Sequence, residues 1–119
     1  MLHVTRLTKE CRVLVDGTDR PVVRCCHRAD RPLARAVGLL GTRRLDADRA
    51  LWIRPCSAIH MLGMAYAIDV AFLDDEDRLI TVRHVRPWRF ARVAGARSVI
   101  EALPGTFDGV APGDVLRLV

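Results

Sequence analysis

Residues 67–85 read AIDVAFLDDEDRLITVRHV and set the pattern for the whole chain. Ile68, Val70 and Phe72 alternate with Ala67, Asp69 and Ala71. One strand face is therefore bulky and apolar, and the other is small with a single carboxylate. The acidic run Asp74, Asp75, Glu76 and Asp77 belongs in solvent and marks a turn. Arg78 to Val85 returns as the partner strand of a hairpin. The run lacks the glycine-bearing spacing of a calcium loop, so it reads as a solvated turn.

Outward from this hairpin the same grammar recurs. Cys11–Val15 and Pro21–Cys26 flank Asp16-Gly17 and form a second, N-terminal hairpin. Ala50–Ile53, Ala96–Glu101 and Val115–Val119 read as further strands. Ala111-Pro112-Gly113-Asp114 has the composition of a type II turn. One helix is expected: Asp30 caps it, Pro32 sits in its first turn, Leu33, Val37 and Leu40 form its stripe, and Gly41 ends it. Pro104, Gly105 and Gly109 limit any helix over Leu103–Val110 to one or two turns. Cys56–Gly63 and Arg86–Gly95 carry loop signals, with an extended stretch allowed in the first. The expected fold is mainly β (β-rich α+β): a single domain over 1–119, an antiparallel sandwich or open barrel with one or two short helices.

The net charge is +5, and the only lysine is Lys9. The arginines are spread from Arg6 to Arg117 and are not gathered on one stretch, so a solvated basic surface is preferred to nucleic-acid binding. No apolar run reaches the roughly 18 residues of a membrane span. Arg6, Lys9, Glu10 and Arg12 interrupt the start, so no leader peptide is read there and a cytoplasmic location is expected. Cys11, Cys25, Cys26 and Cys56 contain no CxxC pair, which argues against a zinc ribbon or thioredoxin-like site. Cys11 and one of the vicinal pair are expected as buried free thiols. No phosphate loop, nucleophile elbow or zincin helix occurs, and no cofactor or metal is expected.

The order of several blocks resembles the bacterial and archaeal family known as domain of unknown function 192. They are Gly38-Leu39-Leu40-Gly41 with Arg43 or Arg44, Leu51-Trp52-Ile53-Arg54-Pro55-Cys56, Ser57, Ile59-His60 and Gly63-Met64. Ile68-Asp69-Val70, Phe72-Leu73-Asp74, Ala96–Glu101, Gly105 and Pro112-Gly113-Asp114 continue the series. The likeness runs from about Val22 to the end, with residues 1–21 as an N-terminal hairpin portion. It implies a compact, mostly β domain and brings no catalytic triad, cofactor or metal set. Many relatives look exported, and a Trp-Met-Lys-Asn string in many of them is replaced here by His60-Met61-Leu62-Gly63-Met64.

The chemistry-bearing residues are few. The expected role is a binding or accessory module for a small polar or anionic ligand, or a protein partner, with a monomer or weak homodimer. Its patch is drawn from Cys56, Ser57, His60, Met64 and Asp69, bordered by Arg54, Arg97 and Glu101. An enzymatic alternative, hydrolytic or metal-assisted, needs His60, Asp69 and Glu101 to converge, with Cys56 as a nucleophile for His60. A nucleic-acid or regulatory alternative rests on the arginine surface. Trp88 and Phe90, interleaved with Arg86, Arg89 and Arg92, have the composition of a stacking platform, but the reading taken is that they plug the core.

Overall fold

Both hairpins close through the same pattern, D-x-x-D-R. In the computed structural model, which describes residues 11–29, 48–61 and 65–119, β1 (Arg12–Val15) and β2 (Pro21–Ala29) meet at Asp16. Its Oδ1 accepts from Thr18 N–H and Oγ1 at 2.8 Å and from Arg20 N–H at 3.0 Å. Asp19 takes the left-handed conformation at φ 64°. β5 (Ile68–Leu73) and β6 (Leu79–Val85) meet at Asp74, whose Oδ1 accepts from Glu76 N–H at 2.9 Å and Arg78 N–H at 3.0 Å. Asp77 is left-handed at φ 62°. A short acceptor side chain two and four residues before its donors makes this turn local and autonomous.

The remaining strands are β3 (Arg49–Ile53), β4 (Ala58–His60), β7 (Phe90–Arg92), β8 (Ser98–Ala102) and β9 (Arg117–Leu118). The main sheet has seven strands in the order β6-β5-β8-β3-β2-β1-β9. It is mixed, because β2 and β3 run parallel with Cys26 beside Ala50. A parallel pair needs a crossover connection. The helix expected from Asp30 to Gly41 falls in that connection and lies outside the described residues. Over Leu103–Val110 the chain forms successive four-residue turns, with Thr106 N–H donating to Leu103 O and Val110 N–H to Phe107 O. The described residues contain no helix.

β5 and β8 are buried at every position, so the sheet carries a core on each face. Ile68, Val70, Phe72, Leu51, Ile53 and Val99 form one face. A second sheet, β4 with β7, covers it through Ile59, Met61, Ala91 and Val93. Ala50, Trp52, Ala71, Leu73, Ile100 and Ala102 form the other face, against Leu14, Phe107 and Leu116. The Trp52 indole N–H donates to Ser98 Oγ at 3.0 Å, which settles two buried polar groups at once. The C-terminal segment then crosses from one sheet edge to the other. Val115 bridges to Arg78, and Arg117 and Leu118 pair with Val15 and Leu14. Gly113, at φ 98°, supplies the turn that precedes this crossing.

Cys26 is buried as expected of one vicinal cysteine, and burial pushes its thiol up to about 12. Cys11 differs from expectation: it is exposed and disulfide-bonded to Cys25. It precedes β1 at the open end of the hairpin, where no core surrounds it.

Hydrogen bonds to Thr18 Oγ1, Arg20 N–H and Thr18 N–H hold the Asp16 carboxyl down from 3.8 to about 2. A carboxyl lowered by folding contributes stability that is complete above its unfolded value and lost as pH falls through its folded one. Asp74 is lowered in the same direction by the Arg78 and Glu76 amides. The stability advantage of wild type over Asp16→Asn is therefore expected to shrink as pH falls from about 4 to about 2, measured by urea midpoints across that range.

Candidate binding surface

Cross-strand register decides which polar side chains meet. Asp69 lies opposite Ala102, on the Trp52 face, whereas Glu101 lies opposite Val70 and Leu51, on the Phe72 face. The two carboxylates thus point to opposite sides of the sheet. His60 is exposed on β4, outside the sheet that covers the Phe72 face. His60, Asp69 and Glu101 do not converge, so the enzymatic alternative lacks the arrangement it requires.

The other patch residues divide as well. Arg54 lies over the Trp52 ring at 5.3 Å, and its Nη2 donates to Asp77 Oδ1 at 2.7 Å. Cys56 and Arg97 are adjacent, since Cys56 N–H donates to Arg97 O at 2.9 Å. Cys56 Sγ donates to Ala58 O at 3.1 Å. Ser57 stands next to them, exposed, and its carbonyl accepts from Val93 N–H. Met64 lies outside the described residues.

Asp69 instead acquires a partner absent from the expected set, His84. Their strands place them opposite each other, and His84 Nδ1 donates to Asp69 Oδ1 at 2.9 Å. Asp69 Oδ2 accepts from Gly105 N–H at 2.9 Å. The carboxylate thereby ties the β5–β6 hairpin to the turn that carries Phe107 into the core. That turn also forms one wall of a cleft of about 290 Å³, facing Asp16, Arg20 and Val22 across Thr106 and Val110. The charges in this cleft are already engaged with each other, as Arg20 Nε donates to Asp16 Oδ2 at 3.3 Å.

The surface of the small sheet is different in kind. Inward residues Ile59 and Ala91 leave His60, Phe90 and Arg92 on the outer side, with His60 directly opposite Phe90. The adjoining loop exposes Trp88, flanked by Arg86 and Arg89. Trp88 and Phe90 are 67% and 65% exposed, so they do not plug the core as expected. The inward places are taken by small Ala91 and by Val93. Trp88 is held in the left-handed region at φ 68°, where a bulky residue is strained. Its N–H donates to Met61 O at 2.8 Å, and Met61 N–H donates to Arg89 O at 2.8 Å, which pins the loop. Among the described residues Arg86, Arg89 and Arg92 make no ion pair.

Residues 13–118 match the family profile of domain of unknown function 192, uncharacterized ACR. The chain belongs to this family. A UPF0127 protein of Pyrococcus horikoshii is 34% identical over 95 residues, covering 75% of this chain and 83% of that protein. A UPF0127 protein of Thermococcus sibiricus is 40% identical over 53 residues, covering 44% of this chain and 34% of its own length. The fold is shared with a protein of unknown function from Novosphingobium aromaticivorans, at TM-score 0.76 and 22% identity over 89% of this chain and 83% of that one. It is shared too with a Sinorhizobium meliloti protein described as a candidate transcription regulator, at TM-score 0.74 and 20% identity over 93% and 94%. The family is uncharacterised, and the domain 192 fold in this chain is β-rich, with no helix among the described residues long and apolar enough to cross a membrane.

Asp69→Ala removes the acceptor for Gly105 N–H and is expected to cost about 1–3 kcal/mol in urea denaturation. His84→Ala is expected to cost less than about 1 kcal/mol, because the ring is half exposed. Equal losses would mean that the histidine pair, and not the tie to Gly105, carries the effect.

Proposed function

We propose that this protein is a binding module for an anionic ligand that carries a planar ring, of the nucleotide class, taken on the outer surface of β4 and β7. The observation that carries this reading is the pair of exposed rings, Trp88 and Phe90, beside three arginines that make no ion pair among the described residues. Leaving a large aromatic in water forgoes roughly 2 kcal/mol of burial. A left-handed backbone at Trp88 adds a cost of about 1–3 kcal/mol. Such costs concentrate where a surface meets a ligand, and an aromatic face stacks a base with about 1–3 kcal/mol. Arg86, Arg89 and Arg92 supply forked donors for phosphate oxygens. His60, from the expected patch, joins this surface, and the ligand remains small, polar and anionic. A cytoplasmic setting goes with this reading, and the Cys11–Cys25 bond would then be a reversible one.

The test uses intrinsic fluorescence, because Trp52 is buried and Trp88 is exposed. Adenosine monophosphate and a short oligothymidylate are titrated separately. Quenching that Trp88→Ala abolishes, and that Arg89→Ala weakens most at low salt, is the expected result. A mononucleotide that quenches as well as the oligomer identifies a small ligand; a steep gain with length identifies a single strand. If neither quenches and the protein instead dimerises with concentration, the surface is a contact between copies and the reading fails.

A further inference from the structure

Two strands and the start of a hairpin bring sulfur, imidazole and guanidinium together away from the surface described above. Cys25 and His27 are two residues apart on β2 and share one face, while Cys26 between them enters the core. Cys11, the residue before β1, brings its sulfur to the same place, and the sulfur and nitrogen atoms of Cys11, Cys25 and His27 all lie within 4.8 Å of one another. Cys25 Sγ is 3.4 Å from His27 Nε2. Arg49, the neighbour of Cys25 on parallel β3, places Nη1 3.3 Å from the same nitrogen. A guanidinium only donates, so His27 Nε2 carries a lone pair and its proton sits on Nδ1.

We propose that Cys11, Cys25 and His27 form a thiol–disulfide exchange centre for a low-molecular-weight thiol. The asymmetry of the pair assigns the roles. Cys11 is exposed and open to attack, while Cys25 is half-buried beside a base and a cation. A thiolate attacks Cys11 Sγ, the Cys11–Cys25 bond breaks, and its electron pair leaves on Cys25 Sγ. The product is a mixed disulfide on Cys11 and a Cys25 thiolate near the Arg49 charge. A second thiolate attacks the mixed disulfide at the ligand sulfur and releases Cys11 with a small disulfide. Two small thiols are oxidised, the protein bond is reduced by two electrons, and the two protons end on Cys11 and Cys25. In the reverse direction Cys25 gives its proton to His27 Nε2 and its thiolate attacks Cys11 Sγ, expelling the small thiolate. Cys26 stays out of this chemistry because its thiol is buried and its pKa raised to about 12.

The experiment treats the oxidised full chain with reduced glutathione, quenches with acid and alkylating agent, and maps the peptides. The expected result is a Cys11–Cys25 cystine before treatment and glutathione on Cys11 afterwards. Cys25→Ser has no cystine to open, so it is treated instead with glutathione disulfide, and it is expected to hold the Cys11 adduct because the resolving thiolate is missing. His27→Gln is expected to slow resolution at neutral pH roughly tenfold, as a free thiol with pKa about 8.5 is only a few per cent thiolate there. The proposal is overturned if oxidised protein holds no such cystine. Equal glutathione on Cys11 and Cys56 when Cys25→Ser is treated with glutathione disulfide, or an unchanged rate in His27→Gln, also overturns it. So does a reduced protein that takes up zinc and then resists glutathione disulfide, which would assign the three donors to a metal.

Discussion

Every residue of β5 and β8 is buried, and the rest of the molecule answers to that constraint. A strand buried on both faces presents apolar side chains both ways, so its sheet needs two covers. The first is the small β4–β7 sheet over Phe72 and Val70. The second is built from irregular chain, the turns that lodge Phe107 and the segment that brings in Leu116. Irregular chain packs reproducibly only when its amides are satisfied. This explains the place of Asp69, a buried carboxylate on the face that the turns cover, where it takes the Gly105 amide.

Much of this was legible in the residues. The alternation of Ile68, Val70 and Phe72 identified one of the two faces that pack, and Asp16-Gly17 and the acidic run Asp74–Asp77 marked the two hairpin turns. His84 was missed for a definite reason. Leu73 pairs with Leu79, but Phe72 pairs with Thr81, so one residue is bulged out of β6. Counting back from the turn without that bulge sets Asp69 against Arg83, and a shift of one residue changes which side chain it meets. The small sheet was missed because three-residue strands are too short to show a period. Trp88 and Phe90 show a different limit: apolarity says that a ring gains from burial, not that the core has room for it. The parallel β2–β3 pairing depends on how distant strands choose neighbours, which local patterns do not encode.

The two chemically distinctive regions rest on the same device, a strand that sends alternate side chains to opposite environments. On β7, Ala91 fills the core while Phe90 and Arg92 face water. On β2, Cys26 is sealed in the core while Cys25 and His27 face outward. Adjacent cysteines can thereby differ entirely in reactivity, one kept as a thiol by burial and the other held beside a base and a cation.

The C-terminal crossing also bears on how molecules of this protein behave in company. An unpaired sheet margin is a template on which a neighbouring chain can add a strand and seed a fibre. Here one margin is β9, only two residues long, which offers too little backbone to copy. The other margin is β6, whose start is engaged by Val115 and Asp114 and whose far half carries exposed Arg83 and His84. The strap that ties the sheet together therefore also shields it against growth into a filament.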